Sequence, residues 1–401
     1  MREISACDLC GGTAFDIVTP VHSRDVFVTG LGTLTLTIGT KMCRKCGFVF
    51  LSPRMDNKEL DTYYNAHSRY VKGFDELAKS SYAKLCEMQY AVIKKACGSQ
   101  RGNALEVGAA EGFFLSLLAQ DGYQTVGVEP ATAYKEFYAK NFPNLKMHFD
   151  MLENTSLPKS YFNLCVMRHV LEHVESPSNI LKLVNNLLVE NGILYLEVPN
   201  LVGAQVAMYD YFHEQHLSYF NTQTLEYACN LAGFTCNMIE EWNDNPDGSG
   251  FNYPILRVIA RKTHNSDKKI CPDSTLSRTA IADYLERKDL FIGQHVRPLE
   301  DKIVQWHTMG KRMALFGGGP HTAELLQVLK IPVGSFICAF DNDPLKWGKT
   351  VGNVLIIPPR DIDRYKPDIV IISSREFENE IADSLKKQRE SGITVVKIYN
   401  G

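Results

Sequence analysis

From Asn103 onward the chain alternates short apolar runs with helically spaced ones. Residues 104–107 (Ala-Leu-Glu-Val), 125–128, 163–167, 192–198 and 256–260 read as strands, bounded by turn residues. Between them 113–119, 180–188 and 225–232 carry apolar positions at helical spacing. Strand–helix alternation predicts an α/β fold, with a parallel sheet covered by helices on both faces. Upstream, 26–38 alternates as a strand pair and 56–97 reads as helices, with Leu85, Met88, Val92, Ile93 and Ala96 on one stripe. Downstream, 262–278 is a polar linker and 277–309 a helical stretch. A second α/β unit follows, with strands at 313–316, 336–340 and 369–372 and a helix at 323–329. The expected layout is a segment 1–70, a Rossmann-like domain 71–262 and a second Rossmann-like α/β domain 263–401.

The first segment is set apart by its cysteines. Of the 11 in the chain, Cys7 and Cys10 form one C-x-x-C and Cys43 and Cys46 a second, each followed by Gly. Four thiolates in two tight pairs suit one tetrahedral Zn2+ in a closed, structural site. A segment too small and polar to build its own core would fold on that ion, as a zinc ribbon. Disulfides are the competing reading. The odd count and the absence of an apolar secretion signal in the first residues argue against them and for a cytoplasmic protein. Cys86, Cys97, Cys165, Cys229, Cys236, Cys271 and Cys338 are scattered.

With 43 basic and 46 acidic residues the formal charge is -3, which gives no global attraction to nucleic acid or an anionic membrane. No apolar stretch is long enough to span a bilayer. The layout permits a monomer.

The turn after the first strand reads Glu106-Val-Gly108-Ala-Ala-Glu-Gly112, and the next strand ends on Glu129. Glycines opening a helix at the carboxyl end of a strand mark the ligand crevice of an open α/β sheet, and an acid one strand on can hold ribose hydroxyls. The spacing is not that of the dinucleotide fingerprint, although an NAD-type domain remains the competing reading. An acidic site without a phosphate cradle suits a cationic ligand. These residues resemble the class I S-adenosylmethionine-dependent methyltransferases. The resemblance implies that Glu106, Gly108 and Gly112 hold the methionine part and Glu129 the ribose. It also implies that Asp150 and Met151 contact adenine, and that the run His169-Val-Leu-Glu-His173 lines the floor of the site.

After residues 197–200 comes Tyr209-Asp-Tyr-Phe-His213-Glu214-Gln215-His216-Leu-Ser-Tyr-Phe. Two histidines and a glutamate beside aromatic residues offer a general base, a substrate contact or a second metal site through His213, Glu214 and His216. With the cysteine pairs before it and an α/β unit after it, the whole chain is similar to sugar-nucleotide C-methyltransferases, the deoxysugar C-3 methyltransferases among them. That resemblance implies a keto-sugar nucleotide as substrate, His216 as base, and His173 or Tyr70 as donor to the enolate oxygen. It also implies a Gly-rich loop at 248–250 near the sugar. Gln215 occupies the position of the family's glutamate. In the second α/β unit Gly317-Gly-Gly-Pro-His-Thr322, followed by Asp341, is a turn for the nucleotide part of the substrate or a purely structural one. An O- or N-methyltransferase on a related sugar nucleotide, or a non-catalytic module binding S-adenosylmethionine or nucleic acid, are the alternative functions.

Overall fold

The computed structural model describes residues 1–28, 32–66, 81–99, 101–206, 210–243, 253–263, 270–375 and 377–399. Tyr70 and the loop 248–250 lie outside the described residues. The chain packs into two compact units, each described by itself. The first comprises Met1–His22, Thr37–Gln205 and Phe212–Ala282; the second comprises Ser23–Leu36, Val206–Tyr211 and Asp283–Gly401.

β1 (Phe15–Val28), β2 (Gly32–Cys43), β3 (Val49–Leu51) and β9 (Ser218–Tyr219) form a small sheet in that order, of which residues 23–28 and 32–36 are counted in the second unit. The helices α1 (Asn57–Ala66) and α2 (Ser81–Cys97) follow β3. Asp56 and Glu59 start α1 as a reciprocal cap: Glu59 N–H donates to Asp56 Oδ1 at 2.9 Å and Asp56 N–H to Glu59 Oε2 at 3.0 Å.

The large sheet has seven strands: β4 (Asn103–Val107), β5 (Gln124–Val128), β6 (Lys146–His148), β7 (Phe162–Arg168), β8 (Leu188–Pro199), β10 (Phe234–Asn243) and β11 (Pro254–Lys262). Their order is β10-β11-β8-β7-β4-β5-β6. β4 to β8 pair in parallel and β11 is antiparallel to both neighbours. Alternate residues of the buried strands feed two cores. Leu105, Val107, Cys165, Met167, Leu194 and Leu196 enter one; Ala104, Leu164, Val166, Ile193 and Tyr195 enter the other. The cysteine segment is not a separate body. Cys7, Cys43, Cys46, Phe48 and Phe50 belong to the same core as Leu105 and Met167.

The helices on this sheet are α3 (Phe113–Gln120), α4 (Lys135–Asn141), α5 (Pro177–Leu187) and α6 (Thr222–Leu231). α5 starts where Ser176 caps Asn179 N–H and Pro177 presets the first turn. α6 starts with a capping box of Asn221 and Thr224. The expected strands all form. The sequence pattern did not reveal β6, only three residues long, or β10, a strand of mixed burial next to β11.

The helix expected from Ser277 begins at Thr275. The helical stretch divides into α7 (Thr275–Phe291), a π-helical turn Ile292–Val296 and α8 (Arg297–Thr308). In the second unit, β12 (Met313–Phe316), β13 (Phe336–Phe340), β14 (Thr350–Val351), β15 (Val354–Ile357), β16 (Ile369–Ile372) and β17 (Thr394–Lys397) make a sheet of order β14-β15-β13-β12-β16-β17. It is parallel except for β14. α9 (Pro320–Val328) follows the glycine turn after β12. No described helix is long and apolar enough to cross a membrane.

Candidate cofactor and acceptor site

A cavity of about 300 Å3 opens at the carboxyl ends of β4, β5 and β7. Gly108, Glu129, Met151, His169 and His173 line it. So do Tyr64, Tyr82, Tyr134 and Arg168, which sequence reasoning did not single out. Glu106, Gly112 and Asp150 are not among the lining residues.

The turn is shaped by backbone conformations that need glycine. Gly108 and Gly112 both have φ of +74°. A Cβ on Gly108 would stand 2.4 Å from Val170 Cγ2, and one on Gly112 2.6 Å from the Tyr138 hydroxyl. Glu129 ties the turn to β5: Ala110 N–H donates to its Oε2 at 3.0 Å and Ala131 N–H to its Oε1 at 2.9 Å. Asp150 is exposed and accepts from Met151 N–H and Asn154 Nδ2, so it shapes the loop that presents Met151.

Glu106 faces Arg168. Arg168 Nη2 donates to Glu106 Oε1 at 3.1 Å, and both side chains are buried. Burial pushes the Glu106 carboxyl up to about 7 against the pull of Arg168. Arg168 also donates to Gln89 Oε1 at 2.8 Å and to the Tyr82 hydroxyl at 3.3 Å, and lies 4.1 Å from the Phe114 ring centre. The acid expected to meet the cofactor is thus internally paired, and its arginine lines the cavity.

Beyond the end of β7 the structure brings four histidines together. His169 sits at φ +53° at the end of β7, and His173 follows one turn later. The ring of His216 is 4.9 Å from that of His173 and 4.1 Å from that of His213. His173 Nδ1 bonds the Gln215 carbonyl at 2.7 Å. Burial first, and the neighbouring imidazoles after it, push His216 well below the usual histidine range. Glu214 is buried and accepts from the Tyr63 hydroxyl at 3.4 Å. Tyr64, next along α1, packs its ring 6.3 Å from His173 and brings an aromatic hydroxyl to the cavity.

The cysteine segment positions this loop. β3 pairs with β9, Val49 with Tyr219 and Phe50 with Ser218, just beyond His216. Leu217 O accepts from Leu51 N–H at 3.0 Å and from Arg54 Nη1 at 3.2 Å. The four cysteine sulfurs themselves converge. Cys7 and Cys46 Sγ are 3.6 Å apart, Cys10 and Cys43 Sγ 3.5 Å, and all four lie within 4.8 Å of one another. A tetrahedral ion with Zn–S bonds of about 2.3 Å needs sulfurs about 3.8 Å apart. The two knuckles are built alike: Gly11 N–H donates to Cys7 O and Gly47 N–H to Cys43 O, with φ of +68° and +72°. None of the cysteines is in a disulfide.

In the second unit Asp341 Oδ2 accepts from Gly318 N–H at 2.7 Å and from Lys346 Nζ at 3.0 Å. His321 Nδ1 bonds the Tyr399 hydroxyl at 3.3 Å.

Residues 82–238 match the family model of a methyltransferase domain, and residues 309–398 match one described as C2185-like, N-terminal. No curated protein matches the sequence. Similar solved structures include an S-adenosylmethionine-dependent methyltransferase from Mesorhizobium loti (14% identity, TM-score 0.38, 46% of this chain and 99% of that one). A SAM-dependent methyltransferase from Methanosarcina mazei is 17% identical with TM-score 0.37, covering 44% and 99%. The 1,6-didemethyltoxoflavin-N1-methyltransferase of Burkholderia thailandensis is 16% identical with TM-score 0.37, covering 45% and 78%. With its glycine turn, the acid that ends the next strand and the cavity at the strand ends, residues 82–238 form a methyltransferase domain, and the protein is a methyltransferase.

Proposed function

We propose that the protein methylates a carbon atom of a keto-deoxysugar nucleotide. The observation that carries this reading is one cavity lined by Gly108, Glu129, His169 and His173 together, with His216 against His173. Glu129 would hold the ribose of S-adenosylmethionine, Met151 its adenine, and the Gly108 turn its methionine part. When bound, that cofactor supplies an electrophilic methyl group on a cationic sulfur. His216, kept neutral by its burial, would take the proton from the carbon next to the acceptor's carbonyl. A tyrosine such as Tyr64 would donate to the enolate oxygen that forms, because the Gln215 carbonyl already holds the Nδ1 proton of His173. His213 and Glu214 would support the loop from inside. Tyr70, the tyrosine expected from the sequence, is kept as a candidate donor outside the described residues.

Zn2+ on Cys7, Cys10, Cys43 and Cys46 would be structural, holding β3 and through it the His216 loop. The second unit, taken by itself, would bind a sugar nucleotide through the glycine turn at Gly317. We read the protein as a cytoplasmic monomer with no membrane or nucleic-acid partner.

Incubation with S-adenosylmethionine and 4-keto sugar nucleotides, followed by mapping of the product, tests the reading. Methyl on carbon, lost with His216→Asn, is the expected result. Methyl on oxygen or nitrogen, with His216→Asn at full rate, rejects C-methylation and favours the heteroatom alternative.

A further inference from the structure

Glu172 lies between the two histidines of the 169–173 run. Its side chain is 1% exposed, and neither carboxylate oxygen receives a hydrogen bond. A buried carboxylate without donors is costly and calls for a partner. Imidazoles surround it beyond hydrogen-bond reach: His169 Nδ1 is 3.5 Å and His173 Nε2 3.7 Å from its Oε1. His216 Nδ1 is likewise buried without a hydrogen-bond partner. The carbonyl of Glu172, by contrast, has two donors. It accepts from Leu217 N–H at 2.7 Å and Ser218 N–H at 3.1 Å, which presses the His216 loop against it.

We propose that Glu172, His173 and His216 form a binding site for a divalent transition cation of the Zn2+ kind, whose occupation competes with proton removal by His216. The three residues each offer one ligand atom, all within 4.8 Å of one another. Two ligands about 2.1 Å from a tetrahedral ion stand about 3.4 Å apart, so the 3.7 Å pair needs only a small closure. Two imidazoles and one carboxylate select borderline transition ions over Mg2+ or Ca2+, which want oxygen. The supporting bond is in place: the Gln215 carbonyl takes the Nδ1 proton of His173 and leaves the Nε2 lone pair toward Glu172. His173 lines the cavity, so the ion's open position would face the acceptor. This triad replaces His213, Glu214 and His216 as the metal-ligating combination. The ion site rests on geometry alone; its effect on catalysis rests on His216 being the base.

The test titrates Co2+ into full-length protein whose cysteine site already holds zinc. A second equivalent is expected, with ligand-field absorption and no sulfur-to-metal band. Glu172→Gln and His216→Asn should each abolish it, while retained zinc and retained S-adenosylmethionine binding show that each variant is folded. In the wild type, methyl transfer should fall in proportion to occupancy of the second site. A single ion per chain, or a second ion that survives both substitutions, overturns the site. A second ion bound there with transfer unchanged overturns the competition. The base reading fails separately, if His216→Asn keeps full rate with no metal added.

Discussion

At both Gly108 and Gly317 a strand gives way to a helix through a residue of positive φ, +74° and +117°. At both, the acid ending the next strand accepts a turn amide: Ala110 N–H on Glu129, Gly318 N–H on Asp341. What surrounds the two acids differs. Glu129 borders a cavity that Tyr64, Tyr134, His169 and His173 also line. Asp341 meets Lys346 Nζ at 3.0 Å, and its own carbonyl accepts from Trp347 Nε1 at 2.7 Å. A carboxylate already facing an ammonium has less to offer a cationic ligand. The local device is shared; the countercharge beside the acid and the groups across the cavity decide what it can bind.

The strongest way to break this comparison is to remove the base from the imidazole cluster beside the first turn. His216→Asn is expected to lower methyl transfer by roughly 100- to 10,000-fold, the range for a positioned proton acceptor. Cofactor affinity should stay near wild type, measured by calorimetry beside the rate. A variant that loses affinity and keeps rate would place His216 on the cofactor side.

Arg168→Met attacks the first turn from beneath. It leaves Glu106 buried without its partner, and breaking one half of a buried pair costs about 3–5 kcal/mol. The cost should depend on pH with a definite sign. A folded-state carboxyl raised above its unfolded value is most stable below the unfolded value and loses stability as pH rises through the folded one. Glu106 is already raised to about 7 with Arg168 present, so the variant should weaken steadily from about pH 4.5 upward. Denaturant midpoints at pH 5 and pH 8 check this; equal losses at both would mean that Glu106 never carries the charge.

Glu129→Gln and Asp341→Asn compare the acids directly. Hydrogen bonds to a charged group contribute about 1.5–3 kcal/mol. The first substitution should therefore weaken S-adenosylmethionine binding by roughly tenfold to a hundredfold. The second should leave it unchanged.

The same contrast shows what a sequence carries. β4, β7 and β8 were readable because both of their faces are buried and the strands are nearly continuous apolar runs. The glycine turn and Glu129 were readable because a positive φ and an acid one strand on leave residue types behind. Arg168 was not: an arginine ending an apolar strand looks like a solvent-facing tip, and only the packing of Tyr82, Gln89 and Phe114 around it reveals a buried cation. The task of β3 was hidden for a different reason. Its partner Ser218–Tyr219 lies far along the chain, and two residues make no periodic signal.

The smallest expected effect tests whether the second turn is structural with respect to the cofactor. In Gly317→Ala a Cβ would stand 2.9 Å from Ser373 Oγ, which already bonds Thr322 Oγ1 and the Phe316 carbonyl. Strain at φ +117° costs roughly 1–3 kcal/mol. The second unit should therefore melt earlier while S-adenosylmethionine affinity holds. Gly108→Ala carries a comparable backbone strain, but its Cβ meets Val170 Cγ2 at 2.4 Å, and Val170 lines the cavity. That variant should lose affinity as well as stability. Calorimetric melting and cofactor titration of the two variants side by side separate strain from recognition. If Gly317→Ala also weakened cofactor binding, countercharge could no longer be what distinguishes the two turns.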